Sequence, residues 1–143
     1  MSENQYVIDA SVVLKWYIEE DLTSEAIEIR NNYINGKINL YAPNILIFEV
    51  INTLTKLGNF SKNNLIEIGD SLLSFIIQLD NFSGYVLQTA INMTSRSNSS
   101  LFETFYLALS EFYNCQLLTA DGIFYNKVLI HYPDAAILHL KDI

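Results

Sequence analysis

Two short apolar runs end in an aspartate and pass directly into a helical pattern, and this constrains the fold more than any other feature. QYVID (5–9) is followed at once by SVVLKWYIEE, where Val12, Val13, Trp16 and Tyr17 fall at helical spacing. CQLLTAD (115–121) is followed by GIFYNKVLI, which reads as a short helix. Parallel neighbours in a sheet cannot be joined by a tight turn and need a crossover, most often a helix. A buried strand that feeds a helix is therefore the unit of a parallel α/β fold.

The stretches between them repeat the alternation. DLTSEAIEIRNNYING (21–36) predicts a helix capped by Asp21 or Thr23 and stopped by Gly36. INLYAP (38–43) predicts a strand closed by Pro43. NILIFEVINTLTKLG (44–58) predicts a helix with Asn44 as cap and Gly58 at its end. SKNNLIEIGDSLLSFIIQLD (61–80) reads as one long striped helix, NFSG (81–84) as a brief strand or turn, and YVLQTAINMTSRS (85–97) as a helix. A polar connector leads to the helix LFETFYLALSEFYN (101–114), and AAILHL (135–140) predicts a final strand. The expected class is α/β: a three-layer α/β/α sandwich with a central, mostly parallel sheet. A chain of 143 residues, half of them hydrophobic, suits one domain over 1–143 with one core.

Other features remove function classes. The single cysteine, Cys115, lies in an apolar run and excludes an internal disulfide framework. No apolar run approaches the ~20 residues of a membrane span, and no basic segment leads an apolar one at the start; a cytoplasmic address is expected. No Gly-rich phosphate loop is present. VIDAS supplies one acid where a receiver domain needs a pair, and LLTADG lacks its lysine; a D-x-D phosphatase fails at Ala10 and Ser11. The formal charge of −8 repels nucleic acid over most of the surface. Action on a phosphodiester would require bound cations or a local basic strip.

Four acids stand out. Asp9 and Asp121 follow strands, and in open parallel sheets sites form at the carboxyl ends of strands. Glu103 lies in the first turn of its helix, and Glu49 near the start of another, alone among apolar residues in ILIFEVI. Each also has a structural explanation. Asp9 and Asp121 suit helix caps. Ser100 and Glu103 match the S-x-x-E capping box. Glu49 shares a helix side with Asn52 and Lys56, as a solvated face would. Together, four carboxylates at one sheet edge would repel one another unless a divalent cation joined them. Mg²⁺ or Mn²⁺ prefers hard oxygen ligands, activates water and shields a phosphodiester.

VIDASVVLKW, APNILIFEVINTL and LFETFYLALSEFYNCQLLTAD, in that order, resemble the PIN domain, and in particular the VapC-type ribonucleases of toxin–antitoxin pairs. The resemblance spans Tyr6 to the closing AILHL. It implies the three-layer fold and RNA cleavage dependent on Mg²⁺ or Mn²⁺, leaving a 5′-phosphate and a 3′-hydroxyl. It places the metal-binding and catalytic acids at Asp9, Glu49, Glu103 and Asp121. Glu103 stands where the family pattern usually has aspartate. Ser11, Asn52 and Thr119 would orient these carboxylates or serve ordinary turns and caps. The implied partners are an RNA substrate, a second copy in a homodimer, and a small VapB-like antitoxin whose basic segment suits an acidic cleft. Lys15 and Lys56 are candidates for phosphate contact, or solvated surface lysines. The rival reading is a PIN scaffold, catalytically weakened or inactive, that binds RNA or a protein partner.

Overall fold

The computed structural model describes residues 4–75, 77–81 and 83–143. Its elements alternate along the chain. Strand β1 (Gln5–Ile8) leads to helices α1 (Ala10–Leu14) and α2 (Thr23–Ile34). Strand β2 (Asn39–Pro43) leads to α3 (Leu46–Leu57) and α4 (Lys62–Ser74). Then come β3 (Gln78–Asp80), α5 (Gly84–Arg96), α6 (Leu101–Tyr113), β4 (Gln116–Thr119), α7 (Gly122–His131) and β5 (Ile137–His139), closed by a 3-10 turn over Leu140–Asp142. All five strands are parallel, in the order β3-β2-β1-β4-β5, with helices on the faces of the sheet as expected.

The two central strands carry the core. Val7 and Ile8 of β1 and Leu117 and Leu118 of β4 are wholly inaccessible. In register, Val7 faces Leu117 and Ile8 faces Leu118. Strands covered on both faces read as continuous apolar runs, which is why QYVI and QLLT show no alternation. Helix α6 lies across β1, β2 and β4 and buries an unbroken run from Thr104 to Ser110. A helix apolar nearly all round is buried nearly all round.

Several boundaries differ from the sequence reading. The long helix over 61–80 ends at Ser74, and Gln78–Asp80 pairs with β2 as the edge strand β3. FIIQLD has no Gly or Pro to mark the break, and a short apolar run fits strand and helix equally. The strand or turn expected in NFSG is thus displaced to 78–80; residues 76 and 82 of these two stretches lie outside the described residues. The first helix is shorter, α1 giving way to turns after Leu14. Asn44 does not cap α3; its amide donates instead to Asn81 Oδ1 at 3.0 Å. Leu22, in a left-handed conformation, precedes α2 where Asp21 or Thr23 was expected. Gly58 closes α3 at φ 73°, as a C-terminal glycine should. Cys115 is buried. No helix among the described residues is long and apolar enough to cross a membrane.

Candidate functional site

The strand order reverses direction at β1: the chain moves to β2 on one side and later to β4 on the other. A crevice opens at such a switch point, beyond the carboxyl ends of the strands. Asp9 leaves β1 there and Asp121 follows β4. Helix α3 starts after β2, and α6 must begin at the same edge to run back into β4. Their early residues Glu49 and Glu103 are therefore delivered to the place where the two aspartates emerge. One cleft of about 150 Å³ is lined by Asp9, Glu49, Glu103 and Asp121, with Tyr106 and Phe124.

Each acid is held by a different group. Asp9 Oδ2 accepts hydrogen bonds from Ser11 Oγ and Thr119 Oγ1, both at 2.8 Å. Ser11 Oγ also accepts from the Ala120 amide, and Thr119 Oγ1 from the Asp121 amide, so two hydroxyls tie Asp9 to the end of β4. Asp9 makes no cap bond to α1. Glu49 Oε1 accepts from the Tyr106 hydroxyl at 2.8 Å. Asp121 Oδ1 caps α7 by accepting from the Ile123 and Phe124 amides. Glu103 forms half of the expected capping box, its amide donating to Ser100 Oγ at 3.2 Å. Its carboxylate goes elsewhere: Oε2 lies 3.0 Å from Lys127 Nζ in an ion pair.

The electrostatics follow from crowding and burial. Burial pushes the Asp9 carboxyl up, the Ser11 and Thr119 hydrogen bonds pull it back, and the charge of Asp121 adds to the rise. Glu49 is pushed up to about 7, first by burial and then by Asp9 and Glu103, against the stabilising Tyr106 bond. Buried Tyr106 is itself held far above the ordinary phenol range by burial and by the charges of Asp9 and Glu49. Like-charged neighbours disfavour full ionisation unless a cation compensates them.

The donor set fits a hard divalent cation: four carboxylates, no sulfur and no imidazole. As the side chains stand, no group of three acids, histidines or cysteines among the described residues encloses one ion. Each carboxylate has a partner of its own: Ser11 and Thr119 at Asp9, Tyr106 at Glu49, Lys127 at Glu103 and the α7 amides at Asp121.

The other sequence candidates are distributed as follows. Ser11 and Thr119 touch Asp9. Asn52 is exposed on α3 and is not part of the cleft lining. Lys15 is 8% exposed and bound to Glu20 at 2.8 Å, which removes it from phosphate contact. Lys56 is exposed at the far end of α3. Three groups at the cleft were missed: Tyr106 and Phe124, which line it, and Lys127, which pairs with Glu103. Tyr106 stands three residues after Glu103, a spacing that puts both on one helix face. Lys127 is the only Lys or Arg between Arg96 and Lys141.

A family model described as the PIN domain matches residues 6–128. Among solved structures, a chain of a toxin–antitoxin complex from Klebsiella pneumoniae is similar at a TM-score of 0.67 and 13% identity, over 96% of this chain and 99% of that one. No curated protein matches.

Proposed function

The chain belongs to the PIN domain family, and from that premise we propose that it is a metal-dependent endoribonuclease, the toxin of a VapBC-type toxin–antitoxin pair. The observation that carries this reading is the lining of one cleft by carboxylates from four separate elements, at the switch point of a parallel sheet. In this proposal Asp9, Glu49, Glu103 and Asp121 hold Mg²⁺ or Mn²⁺. The bound cation supplies charge neutralisation at the scissile phosphate and a lowered pKa for the attacking water.

The chain's own residues do the rest. Ser11 and Thr119 fix the Asp9 carboxylate through two short hydrogen bonds. Tyr106 fixes Glu49 from the buried side. The cap bond of Asp121 fixes its rotamer on α7. Such positioning groups hold ligands ready and limit reorganisation when charge develops. No side chain serves as nucleophile, and the products are a 5′-phosphate and a 3′-hydroxyl.

An acidic cleft in a chain of charge −8 suits a partner that brings cations. Phe48, Phe102 and Ile123, each within two residues of a site acid, are 80%, 63% and 83% exposed. They offer apolar contact beside the acids to a VapB-like antitoxin with a basic segment, or to a second copy. A weakened or inactive scaffold is the rival reading, and the pairing of Glu103 with Lys127 favours it. One assay separates them. Wild type is expected to cut RNA only with Mn²⁺ or Mg²⁺ present, and Asp9→Asn to abolish cleavage while keeping its circular dichroism spectrum. A wild type that binds RNA but never cuts it supports the scaffold instead.

A further inference from the structure

We propose that Lys127 is a built-in competitor of the divalent cation: its ammonium holds Glu103 in the metal-free cleft, and the metal must displace it to recruit that carboxylate. This rests on the metal-dependent reading above. Lys127 lies one turn beyond Phe124 on α7, so the two share a helix face, and Phe124 lines the cleft. Its Nζ is 3.0 Å from Glu103 Oε2. That oxygen is closed off from solvent and has no hydrogen-bond partner of good alignment among the described residues. The ammonium is thus the positive charge that compensates a shielded carboxylate oxygen. Lys127 also reaches the Asn98 carbonyl at 3.4 Å, in the connector before α6. It is anchored on both sides of the start of that helix.

The length of Glu103 matters here. Its extra methylene, relative to aspartate, extends the carboxylate toward α7, and a shorter side chain would draw back from Lys127. The lysine side chain is 29% exposed, so water can take the ammonium when it is released. Two costs oppose metal binding in this arrangement. The Glu103–Lys127 pair must break, and a positive charge stands beside the incoming dication. Lys127 therefore lowers metal affinity, and its removal should raise it.

Isothermal titration of MnCl₂ into purified protein tests this without reference to RNA cleavage. Lys127→Gln is expected to bind Mn²⁺ at least threefold more tightly than wild type. Lys127→Arg keeps the charge and is expected to stay below that gain. In an E103Q background, the same K127Q change is expected to give less than half its wild-type gain, because the carboxylate being released is gone. An affinity gain under threefold, or a loss, overturns the proposal, and so does a gain undiminished in E103Q. Wild type binding Mn²⁺ without a K127Q effect overturns this inference alone. No Mn²⁺ binding by wild type or K127Q overturns the metal-dependent reading with it. Circular dichroism melts check that each variant is folded; Lys127→Met replaces Lys127→Gln, and Glu103→Ala replaces Glu103→Gln, where either is not.

Discussion

At the scale of single residues, the site depends on pairs in which a polar group steadies a carboxylate. Tyr106 and Glu49 are the most informative pair. Tyr106→Phe keeps the ring and removes only the donor, so it should cost about 1 kcal/mol of stability. The lost bond favours the ionised form of Glu49, so its carboxyl should titrate above its present value of about 7. NMR titration of Glu49 in wild type and variant measures the shift; an unchanged or lower midpoint would contradict it. Each of the four acids sits at a sequence landmark, after a strand, near a helix start or amid apolar residues, and the structure lines one cleft with all four. Tyr106 and Lys127 were not legible in the sequence. Tyr106 reads as one more core aromatic in FYLALSEF, and only its spacing from Glu103 marks it. Lys127 comes into reach only when α7 packs near the start of α6, a tertiary fact that a lone lysine does not announce.

At the scale of elements, Asp121 combines two roles that substitutions can separate. As the N-cap of α7 it accepts two amide hydrogen bonds. Asn caps about as well as Asp, whereas Ala removes the cap at a cost of ~1 kcal/mol. Asp121→Asn should therefore melt near wild type, and Asp121→Ala several degrees lower, while both lose Mn²⁺ binding. Equal melting of the two would show that the cap contributes nothing. Strands and helices were legible where propensity and burial agree, as in QYVI, QLLT and the α6 run. They failed at β3, where FIIQLD satisfies helix and strand patterns alike. What makes 78–80 a strand is the open edge of β2, which gives its backbone groups partners. The Asn44 cap failed for a similar reason: its amide found a tertiary partner in Asn81.

At the scale of the whole molecule, the sheet order makes the site, because the reversal at β1 sets Asp9 and Asp121 at adjacent strand ends. The core that fixes this geometry centres on β1 and β4. Leu117→Ala, at a fully inaccessible position, should cost 2–5 kcal/mol, roughly, in denaturant melts. The gathered charge also sets a pH dependence. Glu49 takes its proton at about 7 in the folded chain against an ordinary 4.5. Between those values the folded chain holds a proton that the unfolded chain has shed. Metal-free stability should therefore fall as pH rises through that window, and level off above it. Saturating Mn²⁺ should oppose the fall, because the cation binds the carboxylate form. Thermal melts across the window, with and without Mn²⁺, measure both effects. The most direct test is an anomalous-scattering map from crystals soaked in Mn²⁺. One or two peaks are expected in the cleft, bonded to oxygens of Asp9, Glu49, Glu103 and Asp121 directly or through water. Manganese bound elsewhere, or none at these four side chains, would contradict the metal-dependent reading.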